Sequence, residues 1–230
     1  MGRVMDLPKS VGVMILPNVN LFPHAILPLF IFEPRYRRML EDSLQNHRMF
    51  CVAMQQPEAD KESPSRVAGL GLIRASIENP DGTSNLFLQG VARVSLGRVL
   101  RHKPYRVHSV KPLLPEGTNT ERIDALSLKI RELVGERFRE GLPGALKFLG
   151  EAMGGAPKGR RASVEQILRS LGEITDASML ADLVTCTLLS DPRQRQVMLE
   201  TIDIETRLQY LVCFLLRQGE APGQGGGGQM

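Results

Sequence analysis

Residues 21–44 read LFPHAILPLFIFEPRYRRMLEDSL, and a change of pattern inside this stretch decides the fold. Phe22-Pro23 makes an aromatic–proline turn. From Ala25 to Phe32 the chain is apolar apart from the interruption at Pro28, short enough for a buried strand and too short for a membrane span. Pro28 has no N–H for a ladder bond, so this strand should lie at an edge, at a bulge, or end early. After Phe32 the period changes. Pro34 suits the first position of a helix, Glu33 before it complements the positive helix end, and Tyr36, Met39, Leu40 and Leu44 recur at helical spacing. Arg35, Arg37, Arg38, Glu41 and Asp42 fill the other face. A strand therefore feeds a short amphipathic helix through a proline-marked corner.

The same residues carry a likeness. Residues 22–40, FPHAILPLFIFEPRYRRML, resemble the opening signature of the Lon N-terminal domain family, the substrate-recognition part of Lon protease that also occurs as a free-standing protein. The likeness continues in order. Gly69 to Arg74 (GLGLIR), Pro80-Asp81-Gly82 and Leu86 to Val94 (LFLQGVARV) resemble the family's middle strands, and Leu180 to Leu215 its closing helices. Together these segments span most of residues 11–217.

Outward from the corner, residues 11–113 read as strands. Val11, Val13 and Ile15 alternate with small or flexible residues, and Met49 to Met54 (MFCVAM) is a compact apolar run. Gln55 to Arg66 is rich in charge and proline, a solvated loop. Val67 to Ile77, the turn Asn79-Pro80-Asp81-Gly82 and Ser84 to Gln89 make a hairpin. Val91 to Leu100 and Tyr105 to Val110 add two strands around the basic turn Arg101-His102-Lys103-Pro104. Short strands, close turns and one early helix predict a closed or partly closed barrel. The family resemblance implies the PUA-like kind of pseudo-barrel, which agrees.

Leu114 to Thr120 (LPEGTNT) marks a boundary, and every strong pattern after it is helical. One helix is expected from about Thr120 to Phe138 and a short one up to Met153. Another follows a Ser163/Gln166 capping box, and further helices begin at Asp176, Pro192 and Asp203. Gly219 to Met230 (GEAPGQGGGGQM) is low-complexity and expected to be disordered. The expected fold class is α+β: a PUA-like β domain over 1–116, a C-terminal helical bundle over 117–218, and a tail over 219–230.

Composition narrows the function classes. A 42% hydrophobic content supports a core, and the absence of Trp leaves the packing to aliphatic side chains. Cys51, Cys186 and Cys213 are far apart and contain no CxxC pair, which points to reduced, buried thiols and a cytoplasmic setting. A formal net charge of +4 permits an anionic partner without demanding one. The N-terminus lacks a clean cleavage site, and Asp6 stands where a myristoylation signal needs Ser or Thr. Neither export nor a membrane partner is expected.

Catalytic signatures are missing. Gly154 to Gly159 has the glycine spacing of a phosphate loop, yet Arg160-Arg161 replace its Lys and Ser/Thr. Gly69-Leu-Gly71 lacks the third glycine of a dinucleotide fingerprint, because Arg74 stands there. His24, His47, His102 and His108 form no metal-ligand pattern, and His102 and His108 are expected to face solvent. No GxSxG elbow occurs. No enzyme, cofactor or metal is expected, and the ATPase and protease modules of full-length Lon are not here.

Three classes of function remain. The resemblance implies a non-enzymatic polypeptide-binding module for exposed or unfolded segments, which leaves a separate protease or chaperone as a further partner. The candidate peptide-binding residues are the corner Phe32, Glu33, Pro34, Arg35 and Tyr36. They combine aromatic side chains, a helix N-terminus with free N–H groups and flanking charge. An edge strand adds a way to bind main chain. The corner arginines also have a plainer reading, a solvated helix face with Arg37–Glu41 and Arg38–Asp42 at ion-pair spacing. RNA binding is the alternative, because PUA-like barrels include RNA readers and Arg98, Arg101, His102, Lys103, Arg106 and Lys111 form a basic stripe. Its weakness is that Tyr105 is the only aromatic there on which a base could stack. A small-molecule pocket in the barrel is the third reading, and no residue speaks for it. Arg93, after Gly90, reads as structural.

Overall fold

The corner folds as its pattern predicts: strand β2 (Ile26–Ile31) runs into helix α1 (Pro34–Gln45), with Pro34 in the first turn. The computed structural model describes residues 6–56, 58–59, 62–117, 120–139 and 164–220. Around β2 and α1 stand β1 (Ser10–Leu16), β3 (Met49–Met54), β4 (Val67–Glu78), β5 (Ser84–Arg101) and β6 (Val107–Leu113). They form one sheet in the order β2-β5-β4-β3-β1-β6, and β6 returns to pair with β5. Five strands thus close a ring, and β2 is left outside it, paired only with the first half of β5. Pro28 lies in this edge strand, where a missing donor is tolerated. All pairings are antiparallel except β1 with β3.

The two segments read as separate strands before and after Gly90 are one strand, β5, of 18 residues. Glycine looked like a break because it weakens strands. Its reason is steric instead: a side chain at Gly90 would meet the Phe22 carbonyl at 1.9 Å, and one at Gly69 the Leu21 carbonyl at 2.0 Å. The Leu21-Phe22 segment crosses the sheet through these gaps. Phe22 then belongs to the core of the helical half, while Leu21 belongs to the core under α1.

Val11, Val13, Ile15, Met49, Cys51, Ala53, Ala68, Leu70 and Val94, drawn from four strands of the ring, fill its inside. Met14, Phe50, Val52, Ile73, Leu86 and Leu88 make the opposite layer, closed by Tyr36, Met39 and Leu40 of α1. The strands β1 and β3 are therefore apolar on both faces, which is why Met49–Met54 reads as a continuous apolar run.

Behind the barrel pack α2 (Glu121–Arg139), α3 (Val164–Glu173), α4 (Ala177–Leu188), α5 (Pro192–Glu200) and α6 (Ile204–Glu220). The caps fall where the sequence puts them. Asp176 accepts from the N–H groups of Ser178 and Met179, Asp191 from Arg193, and Asp203 from Thr206. The last helix runs to Glu220, two residues into the expected tail. The Gly154–Gly159 loop, the short helix before Met153, Ser163 and residues 221–230 lie outside the described residues.

Two expectations are corrected. His108 does not face solvent: β6 sandwiches it between Val11 of β1 and Val99 of β5, and its Nδ1 is 3.1 Å from the Gly97 carbonyl. The cysteines are not uniformly buried. Cys51 is inside the ring, with burial pushing its thiol pKa up, whereas Cys186 is half-buried and Cys213 exposed on α6.

Candidate functional site

The five corner residues separate into three situations. Tyr36 is core, with its hydroxyl donating to the Ile15 carbonyl (3.2 Å) and accepting from the Ile15 N–H (3.1 Å). Its ring is unavailable to a partner, and burial pushes its phenol pKa up. Glu33, Pro34 and Arg35 form a frame. Arg35 donates to Glu33 at 2.8 Å and bidentately to Glu62 at 2.7 and 2.9 Å, and its guanidinium lies 4.4 Å from the Tyr36 ring centre. The Glu62 pair raises the Arg35 pKa further. The Glu33 carbonyl takes the N–H groups of Tyr36 and Arg37, so the helix end has fewer free donors than its sequence position suggests. Phe32 is the third case. It is 59% exposed and stacks on Phe30, with ring centres 6.0 Å apart.

Phe32 is one edge of a larger apolar surface that the sequence reading did not assemble. Residues paired directly across antiparallel strands lie on the same face. Phe30 is opposite Asn85, which is opposite Ile77, and Pro28 is opposite Phe87, which is opposite Ala75. This row-by-row register gathers Phe30 (55% exposed), Phe87 (53%) and Ile77 (67%) on the outer face of β2–β5–β4 beside Phe32. The reverse of the same strands carries Ile31, Ile73, Leu86 and Leu88, all buried under α1. Four of the eleven exposed large apolar side chains among the described residues stand on this one face, which single exposed hydrophobes do not do by chance packing. The available signal was LFLQ at residues 86–89: with Leu86 and Leu88 turned in, Phe87 has to point out.

The face is held rigidly. At the β4–β5 turn Asp81 accepts from the N–H and hydroxyl of Thr83, bonds that keep its carboxyl below the usual carboxylate range. Arg37 lies against Gly82 in that turn, so it does not make the expected pair with Glu41. Arg38 takes the ion pairs instead, at 3.1 Å to Asp42 and 3.6 Å to Glu41.

Arg93 is structural, as read. It forms a bidentate pair with Asp182 of α4 and donates to the Leu199 carbonyl at 3.2 Å, crossing from barrel to helices. Arg207 of α6 shares the same aspartate at 3.4 Å and donates to the Ser178 hydroxyl at 2.9 Å. All three charges are at least 97% buried, two cations to one anion. Burial, followed by the neighbouring Arg93, lowers the Arg207 pKa to about 10. Asp182 and Arg207 each occupy an apolar-face position of their helix, and that misfit is the sequence signal for them.

The basic stripe takes a different form from its sequence. Arg98, Arg101, His102, Lys103 and Lys111 are exposed, but Tyr105 is buried. Arg101 lies 4.3 Å from its ring centre and its hydroxyl donates to Asp42 at 2.6 Å, so no open ring face awaits a base. A recess of about 300 Å³ beside it is walled by Asp42, His47, Arg101 and Tyr105, whose charges already answer one another. No group of His, Cys, Asp and Glu suited to a metal occurs among the described residues, nor does any helix long and apolar enough to cross a membrane.

Comparison with known proteins places this geometry. A sequence profile of the ATP-dependent protease La (Lon) substrate-binding domain matches residues 10–217. Lon protease of Dictyoglomus thermophilum is 23% identical over 223 residues, which cover 96% of this chain and 26% of that protein. Lon protease of Xanthomonas oryzae pv. oryzae is 29% identical over 214 residues, 91% of this chain and 23% of that one. The chain therefore spans about a quarter of the length of these relatives. Among solved structures, the N-terminal domain of Mycobacterium avium complex Lon protease superposes with a TM-score of 0.68 at 18% identity, covering 90% of this chain and 98% of that one. A Lon N-terminal domain protein from Xanthomonas campestris gives 0.62 at 19% identity, covering 90% and 99%. These structures share the fold of a barrel with one early helix and helices behind it. With the profile spanning nearly its whole length, the chain belongs to the Lon substrate-binding domain family.

Proposed function

We propose that this chain is a non-enzymatic polypeptide-binding module that captures exposed or unfolded protein segments on the outer face of β2–β5–β4. One observation carries the reading: Phe30, Phe32, Phe87 and Ile77 are gathered in water on a face whose reverse buries Ile31, Ile73, Leu86 and Leu88 under α1. Such a surface fits the apolar side chains that an unfolded client exposes, and rings on a rigid sheet lose little entropy when they bind. Phe32 supplies the contact first assigned to the whole corner. Glu33, Pro34 and Arg35 hold it in place, and Tyr36 anchors α1 beneath. In the same reading the β domain (1–116) receives the client, the described helices of 117–218 form the platform behind, and hydrolysis of ATP or peptide bonds belongs to other modules.

The test measures binding of a labelled, permanently denatured protein together with thermal melting. Phe32→Ala combined with Phe87→Ala is expected to weaken binding by about tenfold, the size of a hot-spot contact of about 1–2 kcal/mol. Melting should shift by no more than a few degrees, because both rings are outside the core. Unchanged binding by the folded double variant removes this face as the site. The wild-type protein alone is expected neither to hydrolyse ATP nor to cleave casein.

A further inference from the structure

Along the outer face every side chain from the β4–β5 turn onward is uncharged until its far end. There β4 carries an irregularity: Ile73 pairs with Leu88 and Ala75 with Phe87, so Arg74 is an extra residue with no partner across the strand. A bulge of this kind re-aims a side chain. Arg74 swings to the side of Gln89, to whose amide oxygen its Nε donates. Gln89 alternates with Phe87 and Asn85 and so lies on the outer face. The guanidinium therefore stands at the end of the apolar surface, about 7 Å along the strand from Phe87. Among the described residues it makes no other hydrogen bond and pairs with no carboxylate. At the opposite end Arg35 is paired with Glu62 and Arg38 with Asp42, while Arg37 packs against the Gly82 turn near Asp81, on the far side of the rings from Arg74.

We propose that Arg74 is a specificity-determining residue, so that this face prefers apolar segments carrying a carboxylate about two residues of extended chain beyond the last apolar anchor. The preference rests on the polypeptide-binding reading and adds a register to it. A guanidinium with four unused N–H groups matches a carboxylate bidentately, and its place at the end of the apolar rows sets where along a bound segment that carboxylate falls. The carboxylate is a C-terminus or an acidic side chain.

Three labelled peptides of one apolar sequence separate these sources: a free C-terminal acid, its amide, and the amide with Asp at the penultimate position. Fluorescence anisotropy with the whole chain should give affinities about five-fold higher for one or both acidic peptides than for the neutral one. Arg74→Gln should erase that difference while leaving the neutral peptide unaffected, and Arg74→Lys should keep part of it. Equal affinities for the wild type, or a preference that survives Arg74→Gln, overturn the proposal. So does failure of every peptide to bind while denatured protein still depends on Phe32 and Phe87, although the polypeptide-binding reading then stands. If Phe32→Ala with Phe87→Ala changes neither peptide nor protein binding, that reading falls too.

Discussion

At the barrel–helix interface two arginines and an aspartate sit out of water, while on the outer face of β2–β5–β4 three phenylalanines and an isoleucine sit in it. The buried charges are bonded on both sides of the interface and hold two layers in one relation. Among the described residues the exposed rings make one aromatic contact, Phe30 on Phe32. A group kept in the wrong solvent with partners is cohesion, and one kept there without partners is a surface waiting for something.

Breaking the buried side should show the largest effect. Asp182→Asn removes the anion that Arg93 and Arg207 share, and an uncompensated buried charge costs about 3–5 kcal/mol. For a chain of this size that lowers the melting temperature by about 10 °C, measurable by calorimetry. Arg207→Met should cost less than half as much, because it leaves one cation with one anion and fills the space with an apolar chain. If both variants melt alike, the imbalance of charge is not what makes the site sensitive. On the exposed side, Phe32→Ala with Phe87→Ala should change stability by less than about 1 kcal/mol, so that the binding loss stands alone. Arg35→Ala comes next. It breaks the ties to Glu33 and Glu62, which are half in water, and should cost about 0.2–1 kcal/mol while loosening Phe32. The smallest effect concerns the α6 cap. Bonds from the hydroxyl and N–H of Thr206 hold the Asp203 carboxyl below its ordinary pKa, so its contribution is fully present above that ordinary value and is lost as pH falls through the lower folded value. Asp203→Asn keeps a cap at neutral pH and should remove that acid sensitivity, seen as a flatter melting temperature between pH 5 and about 2.5.

The same contrast explains what the sequence made legible. Helix starts at Asp176, Pro192 and Asp203, the β2–α1 corner and the turn at Pro80-Asp81-Gly82 are local events, written within a few residues. The apolar face is not local. Phe30, Phe87 and Ile77 come from three strands, and only the pairing register brings them into rows. Tyr36 belongs to the core rather than to the contact surface for a similar reason: its helical spacing with Met39 and Leu40 marks a buried stripe, and its hydroxyl finds Ile15 from 21 residues away. His108 looked exposed because its flanks are basic, yet strand alternation puts a residue on the opposite side from its neighbours.

One consequence of the ring concerns how the chain leaves the ribosome. The pairing Ser10 with Ser109 closes the barrel, so β1 emerges about a hundred residues before its last partner, a wait of roughly 5–20 s at ordinary rates of synthesis. For β2 the partner is the first half of β5, roughly sixty residues later. During that time a run of isoleucine, leucine and phenylalanine is extended and unpaired among other nascent chains. Pro28 removes a donor from the middle of it, which spoils the ladder for a stranger's strand and leaves the pairing with β5 intact. A residue that is only an edge-strand oddity in the finished molecule is, during synthesis, a guard on its most adhesive segment.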